Sequence, residues 1–271
     1  MNSVNTNVSS MVALQSLNRT SDQLSVVQKR ISTGLRVADA KDDGGAFAVS
    51  QAIRADVAGL TAANEQLGGT KGVLDTTFAA LSKVSETMVK VRETLTRLAD
   101  GTLNDAQFDQ YSAQYTALRT QIQNFITDAT YNGRTLLDTT DGDIVTTRNE
   151  SGDTFTITAI DGATDLVVAA APADVTAAQA ALADGGDFET VESAIADALN
   201  QFGSDSNYID SQVRYNKDKV DAIEGGLGAL VDADLAKESA KLQSLQIRQQ
   251  LGTQAMSIAN QSPQTLLSLF R

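Results

Sequence analysis

The chain reads as mainly α: a long antiparallel coiled-coil helical bundle, a rod, with a small β-rich insert. Three observations predict this class. Ile53, Leu60, Leu67, Leu74, Leu81, Met88 and Leu95 fall at every seventh position, the ladder of one long helix with a coiled-coil seam. A second ladder, Phe188, Ile195, Phe202, Ile209, Asn216, Ile223 and Leu230, matches it in length with one polar rung at Asn216. Between them, residues 131–170 lose the helical period and fill with turn signals. A single helix in water is marginal, because ordering its backbone costs more than one exposed seam returns. The ladders therefore need partner helices, and the rest of the chain supplies them.

Val4 to Ile31 is the first expected helix. Leu17, Leu24 and Ile31 are seven apart, Ala13, Thr20 and Val27 form a companion rail, and Val8, Met11 and Leu14 widen the apolar side. Gly34 suits the helix stop, since glycine accepts the left-handed conformation there. Arg36 to Gly45 is a charged connector in which Asp42 or Asp43 caps the next helix. This acidic pair reads as a cap in a solvated turn rather than a metal site. The first ladder then runs unbroken by proline to Asp100-Gly101, with Val57, Phe78, Val84, Val91 and Leu98 beside it. At about 1.5 Å per residue it spans roughly 70 to 80 Å.

Asn104, with Gln107 three residues on, has the form of a capping box. Phe108, Tyr111, Tyr115, Leu118, Ile122, Phe125 and Ala129 follow at steps of three and four. That spacing is a buried helix seam rather than a ligand cleft, and the short loop makes this helix an antiparallel neighbour of the first ladder. Tyr131-Asn132-Gly133, Asp141-Gly142, Ser151-Gly152-Asp153 and Asp161-Gly162 are turns. The β-branched runs Ile144–Thr147, Thr154–Ile160 and Leu166–Val168 between and after them predict two hairpins or a small β element. Ala173 to Ala183 is an alanine-rich short helix. The second ladder opens at Asp187, gains Val191, Ala198, Val213, Val220 and Leu227 as a rail, and is expected to break at Gly225, Gly226 and Gly228. Ala233 to Phe270 is the last helix; Leu235, Leu242 and Met256 share one seam, and Leu245, Leu251 and Ile258 share others. The seam residues of the rod are thus Ile53, Leu60, Leu67, Leu74, Leu81, Met88, Leu95, Ile195, Phe202, Ile209 and Ile223.

Composition narrows the function. The 271 residues contain no Cys, His or Trp, which removes disulfides, thiol and imidazole catalysis and the usual zinc sites. The net charge of −13 disfavours nucleic acid and anionic membrane surfaces. No window of about twenty apolar residues spans a bilayer. Met1 to Ser10 lacks the basic and apolar regions of a cleavable signal, so export is expected by a route that cleaves none. Asp232 and Asp234 read as helix-terminus partners, and Glu86 and Glu93 as solvated charge. Gly225-Gly226-Leu227-Gly228 lacks the Lys and Ser/Thr of a phosphate loop. No catalytic residue, cofactor or metal is expected, and the protein is read as not an enzyme.

The two ends differ from the middle. Residues 1–34 carry a net +2 and residues 242–271 a net +2, which leaves −17 between them. Their outward faces are Gln, Ser, Asn, Thr and Ala, too polar for lipid and unusually uncharged for water. Such helices suit contact with other helices, and further copies of the chain are the simplest supply. A contact that does not close on itself generates a filament. Leu14, Leu17, Leu24, Val27, Ile31, Leu242, Leu245, Leu251, Met256, Ile258, Leu266, Leu267, Leu269 and Phe270 are the residues expected to carry assembly.

The block RISTGLRVADAKDDGGAFAVSQAIR, Arg30 to Arg54, closely resembles the N-terminal signature of bacterial flagellins. The tail from Asp234 to Arg271, above all Gln254–Asn260 and the ending Ser268-Leu269-Phe270-Arg271, is similar to the C-terminal signature, and YNGRTLL at Tyr131–Leu137 to the turn after the family's third long helix. The resemblance covers roughly 1–140 and 185–271. It implies a structural subunit that polymerises into the flagellar filament for swimming motility. It assigns 1–34 and 233–271 to an inner core of paired terminal helices, 35–140 and 185–232 to a rod-like helical bundle, and 141–184 to a small surface-exposed variable insert. It further implies a homopolymer outside the cell, partnered by the flagellar export apparatus, a secretion chaperone, the filament cap and hook-associated proteins. A hook–filament junction protein or a monomeric secreted helical adhesin are the alternatives.

Overall fold

A computed structural model describes residues 6–268, with side chains to residue 261. Its elements in order are α1 (Val8–Thr33), α2 (Gly44–Leu98), α3 (Asp105–Thr127), a 3₁₀ turn (Thr139–Asp141), β1 (Ile144–Thr147), β2 (Thr154–Ile157), α4 (Gly162–Asp165), α5 (Val175–Leu182), α6 (Asp187–Val231) and α7 (Leu235–Ser268). The chain divides into two compact units, Met1–Ala55 with Asp221–Arg271 and Asp56–Val220, so the division falls inside α2 and α6.

Local chemistry sets the helix ends. Gly34 closes α1 at φ 72° and its N–H donates to the Arg30 carbonyl. Of the two acidic candidates ahead of α2, Asp43 is the cap: its Oδ1 accepts from Ala46 N at 3.0 Å. Asn104 and Gln107 form the reciprocal capping box of α3.

The core of the second unit is built from α2, α3 and α6. Leu60, Leu67, Leu74, Leu81, Met88 and Leu95 are buried, as are Ile195, Phe202 and Ile209. Ile53 and Ile223, which fall in the other unit, are half-buried. Buried Thr70, Thr77, Thr87 and Thr94 sit among the ladder residues, and each hydroxyl donates to the carbonyl four residues back. That bond lets a polar residue occupy a helix interior without an orphaned hydroxyl. Tyr115 and Ile122 of α3 complete the core, and Leu136 and Leu137 after it are fully covered. Burial pushes the Tyr115 phenol up to about 12.

Two expectations change, at Leu166–Val168 and at the end of α6. The insert contains one hairpin, β1 with β2, paired antiparallel from Ile144↔Ile157 to Thr147↔Thr154. Leu166–Val168 is not a strand. All three residues are buried, which one face of a two-stranded hairpin cannot provide. Side chains serve the backbone there instead: Arg119 Nε donates to Val168 O at 2.8 Å, and Asp187 Oδ2 accepts from Ala169 N at 2.8 Å.

Part of the insert packs inward. Ile157, Leu166, Val168 and Ala178 belong to the core of the second unit. At Gly162 an added Cβ would lie 2.9 Å from both Ile126 Cγ2 and the Leu137 carbonyl, so α4 rests directly on its neighbours.

The glycines at 225, 226 and 228 do not break the second ladder. Helix α6 continues to Val231, even though glycine costs roughly 1 kcal/mol against alanine in a helix interior. The stop comes where its last carbonyls find partners outside the helix. Val231 O accepts from Arg36 N at 2.7 Å and Val37 N at 3.3 Å, and Ala233 N donates to Gly34 O at 2.9 Å. Chain crossing sets this end.

Candidate assembly site

In the first unit α1 and α7 pack side by side. Contacts along their length run in opposite senses. Asn7 Nδ2 donates to Ala259 O at 2.7 Å, Ser10 Oγ to Asn260 Oδ1 at 2.8 Å, and Arg30 Nη1 to Glu238 Oε1 at 3.2 Å. Leu17 lies against Gly252, where an added Cβ would come within 3.3 Å of Leu17 Cδ1. Glycine allows this close approach. The pair is antiparallel.

The residues expected to carry assembly separate into three groups. Val27 and Leu245 are buried within the unit. Leu17, Leu24, Ile31, Leu242 and Met256 are half-buried. Leu14, Leu251 and Ile258 are exposed, at 46%, 61% and 65%. Leu269 and Phe270 lie outside the described residues, as do the side chains of Leu266 and Leu267.

The exposed group is larger than the seams suggest. Val8, Met11 and Val12 form one exposed stripe on α1, and Ile247, Leu251 and Ile258 another on α7. Val12, Val26 and Ile247 sit off the seven-residue rails, so periodicity passed over them. For Val12 the usable signal was the uncharged stretch before Arg19; Val26, with Asp22, Lys29 and Arg30 within four positions, and Ile247, beside Arg248, carried none. Isolated exposed apolar residues are ordinary; contiguous apolar stripes on a charge-poor helix pair mark an interaction surface.

The connector after α1 is held by charge. Lys29 Nζ lies 2.7 Å from Asp39 Oδ2 and 2.9 Å from Asp42 Oδ2. Asp42 also accepts from the N–H groups of Ala38 and Asp39. The hydrogen bonds from Lys29 hold both carboxyls below their usual 3.8 and raise the ammonium above 10.5. Depressed carboxyl values contribute stability that is complete above the ordinary carboxylate range and withdrawn as pH falls below it. A raised lysine contributes below its ordinary value and is lost above it. Hydrogen exchange at Ala38–Asp42 should therefore stay slow from about pH 5 to about pH 10 and accelerate outside that window on both sides, after correction for intrinsic rates. A profile unchanged down to acid pH would show that these ion pairs do not order the connector.

The acidic residues weighed as chemistry have other partners. Asp234 Oδ1 accepts from Lys237 N at 3.0 Å and caps α7. Glu86 pairs with Lys83, and Glu93 with Arg97. Among the described residues no group of three or more metal-ligating side chains is gathered, and no helix is long and apolar enough to cross a membrane.

Comparison with known proteins agrees with this arrangement. Residues 4–141 match the bacterial flagellin N-terminal helical region, and residues 188–270 match the C-terminal helical region. The stretch between them, most of the insert, is matched by neither. Flagellin FljK of Caulobacter vibrioides is 37% identical over 271 residues, covering 100% of this chain and 99% of its own. A flagellin of Brucella melitensis is 35% identical over 283 residues, all of both chains. The crystal structure of Bacillus cereus flagellin superimposes with a TM-score of 0.51 at 26% identity, covering 56% of this chain and 88% of its own. Both ends match, the relatives are matched along their whole lengths, and the chain accordingly belongs to the bacterial flagellin family, as a structural subunit of the flagellar filament rather than an enzyme or a hook-associated protein.

Proposed function

We propose that the exposed apolar stripes of the α1–α7 pair are where one copy packs on the next as the filament grows. The observation that carries this reading is the exposure of Met11, Leu14, Leu251 and Ile258 on helices that carry little charge. Burying such side chains between copies returns roughly 1.5 to 3 kcal/mol each, and a helical array repeats that gain in every subunit. On this reading residues 1–34 and 233–271 form the filament core, with Leu24, Ile31, Leu242, Met256, Leu266, Leu267, Leu269 and Phe270 at or beside its contacts. Residues 35–140 and 185–232 form the bundle domain, and the exposed turns of 141–184 face the medium.

The family relationship also supports an itinerary. The subunit leaves the cell through the flagellar export apparatus with a secretion chaperone as escort, and adds to the filament beneath a cap. Hook-associated proteins join the base of that filament to the hook.

The test is seeded growth. Purified protein mixed with sheared filament fragments should elongate them into long filaments visible by negative-stain microscopy. A chain that stays monomeric across salt and seed concentrations would remove the α1–α7 stripes as the contact that drives growth.

A further inference from the structure

Two heptad ladders can pair in more than one way. Sliding one past the other by seven residues again sets apolar rungs against apolar rungs. In the second unit α2 and α6 adopt one alignment. Asn64 meets Asn216, Lys71 pairs with Asp210, Phe78 lies over Gly203, and Arg92 approaches Glu192 at 3.6 Å. Numbers rise along α2 as they fall along α6, so the helices are antiparallel and each contact marks one rung.

The single polar rung of the second ladder is fully buried. Both amide hydrogens of Asn216 are used: Nδ2 donates to Asn64 Oδ1 at 3.0 Å and to the Arg148 carbonyl at 2.9 Å. Its Oδ1 accepts from Gln212 Nε2 at 2.9 Å, and Gln212 also donates to the Arg148 carbonyl. The turn of the β1–β2 hairpin is thereby strapped along α6. Arg148 bonds Tyr208 OH at 3.3 Å, Phe155 stacks on Tyr208 with ring centroids 4.2 Å apart, and Lys219 pairs with Glu150. On the α2 side, Glu150 sits against Gly59, where an added Cβ would lie 3.1 Å from the Glu150 Cβ.

We propose that Asn64, Asn216 and the Arg148–Glu150 turn form a register key, which admits one alignment of α2 on α6 and rejects the heptad-shifted ones. A slip of seven would place Asn216 opposite Val57 or Lys71, away from its Asn64 acceptor, and would carry Glu150, which is held on α6, off its seat at Gly59. A buried amide left without its partners is what makes the shifted states costly. Phe78 adds a check in one direction, since its ring lies over Gly203 and one of the two slips would bring the Asp210 carboxylate there. A buried Asn in an otherwise apolar seam gives up some stability for a single register. The key is a property of the chain by itself. Its use, presenting an identical surface from every copy, rests on the assembly reading above.

The absence of cysteine permits a clean test. Nitroxide labels at Val89→Cys and Tyr215→Cys, both exposed, report the α2–α6 alignment in the unassembled chain by pulsed dipolar spectroscopy. The parent should give one narrow distribution near about 35 Å, from the rise of 1.5 Å per residue. Asn64→Leu with Asn216→Leu should keep its helical signal and add a second population displaced by about 10 Å, one heptad. A single unshifted distance in the folded double variant overturns the proposal. Loss of helical signal also overturns it, because the network would then be required for folding itself rather than for choosing among alignments. Seeded growth of the unlabelled parent separately tests the assembly reading.

Discussion

Changing Leu251 and Ile258 together to Asp abolishes filament growth and leaves the helical content of the subunit unchanged. Both side chains are mostly exposed in the single chain, so their replacement removes little packing there, and surface changes of this kind stay within about 0.5 kcal/mol. In the filament the same positions would be enclosed by neighbouring copies. An unpaired carboxylate taken out of water costs several kcal/mol even after relaxation. Two per subunit at about 2 kcal/mol each, a conservative figure, raise the critical concentration roughly a thousandfold, since about 1.4 kcal/mol is tenfold. Seeded assembly followed by light scattering and microscopy, with circular dichroism on the same samples, reads both halves. Val27→Asp supplies the contrast. Val27 is buried inside the α1–α7 unit, so its change should reduce helicity as well as growth. Normal filaments from the double variant would remove the exposed stripe of α7 from the interface.

Leu166→Ala destabilises the second unit by about 2.5 to 5 kcal/mol. Leu166 is fully buried in a segment without regular structure, and removing three buried carbons loses their transfer energy and leaves a cavity that the fixed helices cannot close. Val145→Ala on β1, 60% exposed, should stay within about 0.5 kcal/mol. Chemical denaturation of both variants followed by circular dichroism decides between two views of the insert. If Leu166→Ala is as mild as Val145→Ala, the insert is a removable surface feature, and Leu166, Val168 and Ala178 do not support the helices they touch.

Much of this architecture was legible because its causes are local. The capping box at Asn104 and Gln107 and the stop at Gly34 involve groups within four residues of one another. The seven-residue ladders are visible because a helix turns its seam residues to one side whatever they later meet. Legibility fell where distant chain intervenes. Leu166–Val168 has a strand's composition, yet Arg119, Tyr115 and Asp187 serve the backbone around it. The triple glycine has the composition of a break, yet the chain crossing at residues 34–37 places the helix end at Val231. Asn216 is the one polar rung of the second ladder. Its reason lies in the Arg148 carbonyl, 68 residues earlier.

The candidate surface divides the same way. Low charge at both ends was readable from composition, and the rails of α1 and α7 from their period. Which apolar residues would be spent inside the pair, and which left outside, was not. Val27 and Leu245 are covered while Leu251 and Ile258 are bare, although all four belong to seams of the same kind. Each helix has more apolar circumference than one partner can cover, and the antiparallel contact from Asn7–Ala259 to Arg30–Glu238 selects the strip that disappears.

By itself, then, the amino-acid order determined the class, the helices and their caps, the charge-poor ends and the family, because each of these follows from periodicity, capping chemistry or contiguous motif. Tertiary structure alone decided the alignment of the two ladders, the burial of the insert, the end of α6 and the split between covered and exposed apolar faces. Those outcomes depend on which groups meet across many residues of chain, and a heptad period is equally satisfied by every shift of seven.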